Sequence, residues 1–130
     1  MPGTEVKEPR LNLALECLDN FGSLRLRVTG ASMLPAIHPG SYVWIGKIDP
    51  EVLTPGSVIL TRSQHGVRLH RLIAIENSGS AIHYITRGDN NDHDDPVVAA
   101  TDVLGVLSAV SKPSLFFRLR TLAIRWLRTR

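Results

Sequence analysis

A hydroxyl, an imidazole and a set of carboxylates stand in three well-separated segments of this chain, and together they could perform acyl transfer. The hydroxyl is Ser32, in TGASMLPAIHPG (29–40), a loop marked by Gly30, Pro35 and Pro39-Gly40. A serine hydroxyl is a weak nucleophile at neutral pH and needs a base beside it. His70, within VRLHRLIAIE (67–76), is a candidate base whose neighbours Leu69 and Leu72 promise partly dry surroundings. The carboxylates are Asp89, Asp92, Asp94 and Asp95 of RGDNNDHDDP (87–96). Any of them could orient the imidazole and stabilise its charged form. The chain order Ser, His, Asp is no obstacle, because geometry rather than order defines such a triad.

Taken singly, each segment has a plainer reading. A serine among Gly and Pro is commonly a turn residue, a strand histidine is commonly just packed or solvated, and an Asp/Asn run is commonly a solvated loop tip. A calcium loop starting at Asp89 would need glycine at its sixth place and glutamate at its twelfth, which are Asp94 and Ala100 here, so an EF-hand is excluded. His93, Asp94 and Asp95 have the right chemistry for a metal, but their spacing does not require one, and neither metal nor cofactor is expected. Lys47, in IGKIDP, is a second candidate base.

The elements that must position these groups are mostly strands. LNLALECLDNFG (11–22) carries Leu11, Leu15 and Leu18 at helical spacing and ends on Gly22, predicting a short amphipathic helix after a lead over 1–10. LRLRVT alternates Leu24, Leu26 and Val28 with Arg25, Arg27 and Thr29, the period of a strand with one wet face. Further strands are expected at YVWIGKI, after the Pro55-Gly56 turn at SVILT, at VRLHRLIAIE with AIHYITR as a hairpin across NSGS, and at DVLGVLSAV. Many short strands with turn signals, and no helix–strand alternation, predict a mainly β body over 23–112.

Past Pro113 the pattern changes. Arg118, Arg125 and Arg128 fall on one helical face, and Leu115, Leu119, Leu122 and Trp126 on another. A basic amphipathic helix over 113–130 suits a membrane interface, and equally suits packing on the domain. The 130 residues carry a formal charge of +3 and are 43% hydrophobic, which fits one folded domain. The arginines of the last segment supply the basic excess, so no nucleic-acid partner is expected. One cysteine, Cys17, excludes an internal disulfide and leaves the compartment open. No signal peptide or membrane-spanning run is read.

In this order, GASMLP, PGSVIL, LHRLIAI, TRGDNNDHDDP and VLGVLSAV resemble the signal peptidase and LexA-like serine peptidase superfamily, from Leu24 to Val110. Its two catalytic types place lysine or histidine directly before an arginine, and His70-Arg71 is similar to the histidine type of the endoplasmic reticulum and archaea. The resemblance implies coiled antiparallel sheets with a small SH3-like barrel, and a serine endopeptidase that cleaves an extended peptide or preprotein. It implies Ser32 as nucleophile, His70 as general base, Asp95 as the acid of the triad and Asp89 as a supporting residue. Met33, Leu34 and Ile37 are expected to line part of an apolar substrate wall. The chain departs from the pattern at Gly30, where many signal peptidases carry a serine that assists the oxyanion hole. No helix-turn-helix precedes Ser32, so a LexA-type repressor is not expected. Two rival readings are a Ser–Lys peptidase using Lys47 and a non-catalytic peptide-binding β module.

Overall fold

A computed structural model describes residues 8–64 and 66–111. Helix α1 (Glu8–Phe21) begins three residues before the apolar spacing suggests. It buries Leu11 and Leu18 and leaves Leu13 and Phe21 exposed. Gly22, at φ 76°, stops it by donating its N–H to the Leu18 carbonyl at 2.9 Å, a left-handed turn that glycine adopts without a Cβ penalty.

Seven strands follow: β1 (Ser23–Arg27), β2 (Tyr42–Gly46), β3 (Val58–Ser63), β4 (Gly66–Ser78), β5 (Ala81–Arg87), β6 (Val98–Ala99) and β7 (Val103–Ser111). They form one antiparallel sheet in the order β1-β2-β7-β3-β4-β5-β6. Among the described residues its ends, β1 and β6, do not pair with each other. The body is therefore mainly β, as expected, and its one sheet is open and not closed into a barrel. The two-residue β6 and the 3-10 turn after it, Ala100–Asp102, escaped the sequence reading because neither is long enough to show a period. The basic helix predicted over 113–130 lies outside the described residues. No helix among the described residues is long and apolar enough to cross a membrane.

The chemistry of β3 explains how one sheet supports two cores. Val58, Ile59, Leu60 and Thr61 are all buried, the unbroken pattern of a strand covered on both faces. Val58 and Leu60 join Leu11, Val28, Met33, Ile37, Val43, Ile45, Val67 and Leu69 in one cluster. Ile59 joins Leu53, Leu72, Tyr84 and Val98 in a second. Alternation along β4 sends Val67 and Leu69 to the first cluster, and His70 and Leu72 to the face of the second. On the outer side of β1 and β2, the Arg25 guanidinium lies over the rings of Tyr42 and Trp44, 4.7 and 5.8 Å from their centroids.

Register shifts interrupt the β2–β7, β3–β7 and β4–β5 ladders. Such bulges bend a strand and increase its twist, which lets one sheet wrap two cores. Beside the end of the bulged β2–β7 ladder there is no room for a side chain at Gly105. A Cβ there would sit 2.4 Å from Ile45 Cγ2 and 2.9 Å from the Gly46 carbonyl oxygen. Gly105→Ala should therefore lower unfolding free energy by about 1–3 kcal/mol, the usual cost of overpacking. Gly46→Ala, whose Cβ would meet only the Val106 carbonyl oxygen at 3.9 Å, should cost much less. Urea denaturation of the two variants checks the contrast, and equal stability would remove the steric account.

Candidate active site

The Ser32 loop leaves β1 and returns to β2 through a closed neck. Val28 donates its N–H to the Ser41 carbonyl at 2.9 Å, and Gly40 donates to the Val28 carbonyl at 2.7 Å. Gly40 makes this return at φ 87°. Inside the loop, Leu34 N–H bonds the Ala31 carbonyl and Ile37 N–H bonds the Met33 carbonyl, forming two consecutive turns. The Leu34–Pro35 peptide is cis. Met33 and Ile37, each 2% exposed, plug the loop into the first core cluster. The outcome is a compact loop with a fixed base that holds Ser32 at its turn.

His70 comes from the middle of β4, where it pairs across the sheet with the fully buried Ile59. Its Nε2 lies 3.0 Å from Ser32 Oγ, and its Nδ1 lies 2.5 Å from Asp95 Oδ2. The ring thus bridges a hydroxyl and a carboxylate supplied by two different loops. Ser32 is 5% exposed and His70 is 2% exposed, so water screens this line of hydrogen bonds only weakly. Thr86 of β5 donates its hydroxyl to the same Asp95 oxygen at 2.8 Å, while Arg68 Nη1 stands 3.9 Å from the other. Burial acts to raise the Asp95 pKa. Hydrogen bonds with His70 and Thr86, aided by the charges of His70 and Arg68, outweigh it and leave the pKa below the ordinary 3.8.

The Asp/Asn loop is docked, not free. Asn90 donates its backbone N–H to the Ser32 carbonyl at 2.8 Å and its side-chain amide to the Ala31 carbonyl at 3.2 Å. Gly88 makes the approach feasible. A Cβ on it would lie 2.7 Å from the Ser32 carbonyl oxygen, 2.8 Å from Asn91 Nδ2 and 3.1 Å from His70 Nε2. Asp89 points elsewhere. It receives Arg71 Nε and Nη2, each at 2.8 Å, and Arg71 Nη1 donates to the Gly56 carbonyl at 2.7 Å. The Asp89 hydrogen bond holds the Arg71 pKa above its ordinary value, against the opposing effect of burial. Arg71 therefore stays charged and ties the Asp/Asn loop to the Pro55-Gly56 turn.

Of the carboxylates left open by the residue pattern, the fold brings Asp95 to the imidazole. Asp94 turns outward to Arg87, and the fully exposed Asp92 pairs with His93. His93, Asp94 and Asp95 thus face different partners, and the described residues hold no cluster of three side chains fit to bind a metal. Lys47 is exposed, whereas the Ser32 hydroxyl is engaged by His70. The expected apolar wall needs correction. Met33 and Ile37 are core anchors of the loop with no surface to offer a peptide, and of the three only Leu34 is partly exposed. A cavity of about 560 Å³ opens beside Arg68, lined also by Arg62, Gln64, Val97 and Asp102, but neither Ser32 nor His70 reaches it. Gly88, Asn90 and Thr86 were visible as parts of two quoted segments. Nothing in their types alone reveals that they hold the site together.

Two outcomes follow from this geometry. Gly88→Ala should keep the fold but separate Ser32 from His70, cutting any Ser32-dependent reaction by about 100-fold or more, since an ~1 Å displacement at a reacting centre costs that much. A serine-directed acylating reagent measures it, and an unchanged labelling rate would remove Gly88 from the site. The second concerns pH. Because the folded Asp95 pKa lies below 3.8, its ionised form contributes stability that is present above the unfolded value and is lost as pH falls through the folded one. The stability gap between wild type and Asp95→Asn should be widest near neutrality and narrow below about pH 4. Urea titrations at several pH values would show it, and a gap independent of pH would contradict an ionised Asp95.

Comparison with known proteins assigns no family: no protein-family model matches the chain, and no curated protein does either. Its function has to be argued from the arrangement of Ser32, His70 and Asp95.

Proposed function

We propose that this chain is a serine endopeptidase, of the histidine-type signal peptidase kind, that cleaves an extended peptide by acyl transfer. On this reading the open, bulged sheet is a small version of the signal peptidase and LexA-like fold. The observation that carries the proposal is the unbroken line from Ser32 Oγ through the His70 ring to Asp95 Oδ2. The Ser32–His70 bond lies within the reach that a nucleophile–base pair requires, and the other ring nitrogen is bonded to the carboxylate that would orient the base.

The chemistry follows from the positions. Neutral His70 takes the hydroxyl proton on Nε2 as Ser32 Oγ bonds to the scissile carbonyl carbon. The carbonyl electrons move to oxygen, and the imidazolium that forms is stabilised by Asp95 through Nδ1. The C–N bond then breaks, and Nε2 returns its proton to the leaving amine, leaving an acyl group on Ser32. Water, deprotonated by the same nitrogen, releases the acid and restores Ser32. The Ser32 N–H donates to no backbone carbonyl among the described residues, so it can serve as a donor to the developing oxyanion.

Gly30 favours one other reading, a β module that binds extended peptides without cutting them, because it brings no hydroxyl to the oxyanion. Reaction with a fluorophosphonate separates the two. The peptidase reading expects labelling of wild type at Ser32, none in Ser32→Ala, and a loss of about 10³-fold or more in His70→Ala. Lys47→Ala should label like wild type. Peptide binding without any Ser32 labelling would favour the binding module, and labelling that survives loss of His70 would end the assignment of the base.

A further inference from the structure

We propose that the Thr86 hydroxyl is a positioning group for the triad, holding the Asp95 carboxylate in the plane and at the height the His70 ring needs. This rests on the peptidase reading of the site. Asp95 lies on a polar loop, where a carboxylate could turn freely about its two side-chain bonds. Thr86 restrains it at two points. Its carbonyl receives the Asp95 backbone N–H at 2.8 Å, and its hydroxyl donates to Asp95 Oδ2 at 2.8 Å. That oxygen is also the one bonded to His70 Nδ1. Thr86 can act as a fixed point because it is 0% exposed and sits opposite Leu72 in the β4–β5 ladder, two residues along β4 from His70.

The type of residue matters as much as its place. A hydroxyl has one proton to give, and here it is spent on a carboxylate that would otherwise have only His70 and the more distant Arg68 as partners. Valine has the same shape and keeps the backbone clamp, but leaves one Asp95 lone pair unmet and the carboxylate free to rotate. Serine keeps the hydroxyl and loses only a methyl group. Two groups donating to one oxygen also share its charge, so Thr86 moderates how strongly Asp95 stabilises the imidazolium. Asp95 acts through His70, and Thr86 acts through Asp95.

Thr86→Val and Thr86→Ser in the full chain test this with two readouts. One is the rate of Ser32 labelling by a fluorophosphonate. The other is the strongly deshielded proton NMR signal expected of the His70 Nδ1–H in so short a bond to Asp95, which needs no enzymatic activity. Thr86→Val should slow labelling by about 10- to 100-fold, the worth of one hydrogen bond to a charged group, and should shift or broaden the signal. Thr86→Ser should stay within about threefold of wild type in rate and keep the signal, matching the single methyl it loses. Rates and signal unchanged in Thr86→Val would overturn the proposal. So would a serine variant as impaired as the valine one, because packing and not the hydroxyl would then be responsible. If wild type fails to label at all, the peptidase reading falls, and the signal alone decides the role of Thr86. Should Thr86→Val not fold, Thr86→Cys, which keeps a weaker donor, takes its place with an intermediate rate and signal expected.

Discussion

The missing side chain of Gly88 is the constraint on which the site depends. Two polar loops must approach until one carbonyl, one amide and one imidazole nitrogen surround the same backbone atom, and a single methyl group would meet all three. Sheet geometry alone would not bring Ser32 and Asp95 to the two sides of one ring. The β4 strand carries the ring, β1 and β2 anchor the first loop, and β5 leads into the second. Contact at Gly88 turns these three independent attachments into one arrangement.

Around that contact the polar groups are satisfied in pairs, which is what keeps a buried ionised group stable. Asn90 meets the two carbonyls of the Ser32 loop, Arg71 joins Asp89 to the Pro-Gly turn, and Thr86 meets both ends of Asp95. Each links the Asp/Asn loop to a different part of the sheet. The loop that reads as a solvated tip is therefore held at several points on its inner side, while Asp92 and His93 remain in water on its outer side.

Much of the fold was legible along the chain. Period-two alternation located β1, apolar runs bounded by turn signals located five more strands, and Gly22 marked the end of the helix, because alternation, turn residues and a left-handed cap each leave a local signature. The open sheet, the brief β6 and the early start of α1 were not legible, since each depends on pairing or packing with distant residues. In the site, the reading from residue types reached Ser32 and His70, but left four aspartates open until the resemblance singled out Asp95. Met33 and Ile37 show the opposite error. Apolar residues beside a candidate nucleophile suggest a substrate wall, but a loop without core anchors would not hold its serine still, and here they serve as those anchors.

What the sequence determined by itself is which chemical groups are present and which short segments carry them: one hydroxyl between turns, one imidazole in an apolar strand, several carboxylates in one loop. Tertiary structure decided which carboxylate faces the ring, which loops touch, and which of the polar neighbours hold them. The physical reason is that residue type and local period are properties of adjacent positions, whereas a hydrogen bond between residues 25 or 38 apart exists only once the sheet has closed the distance.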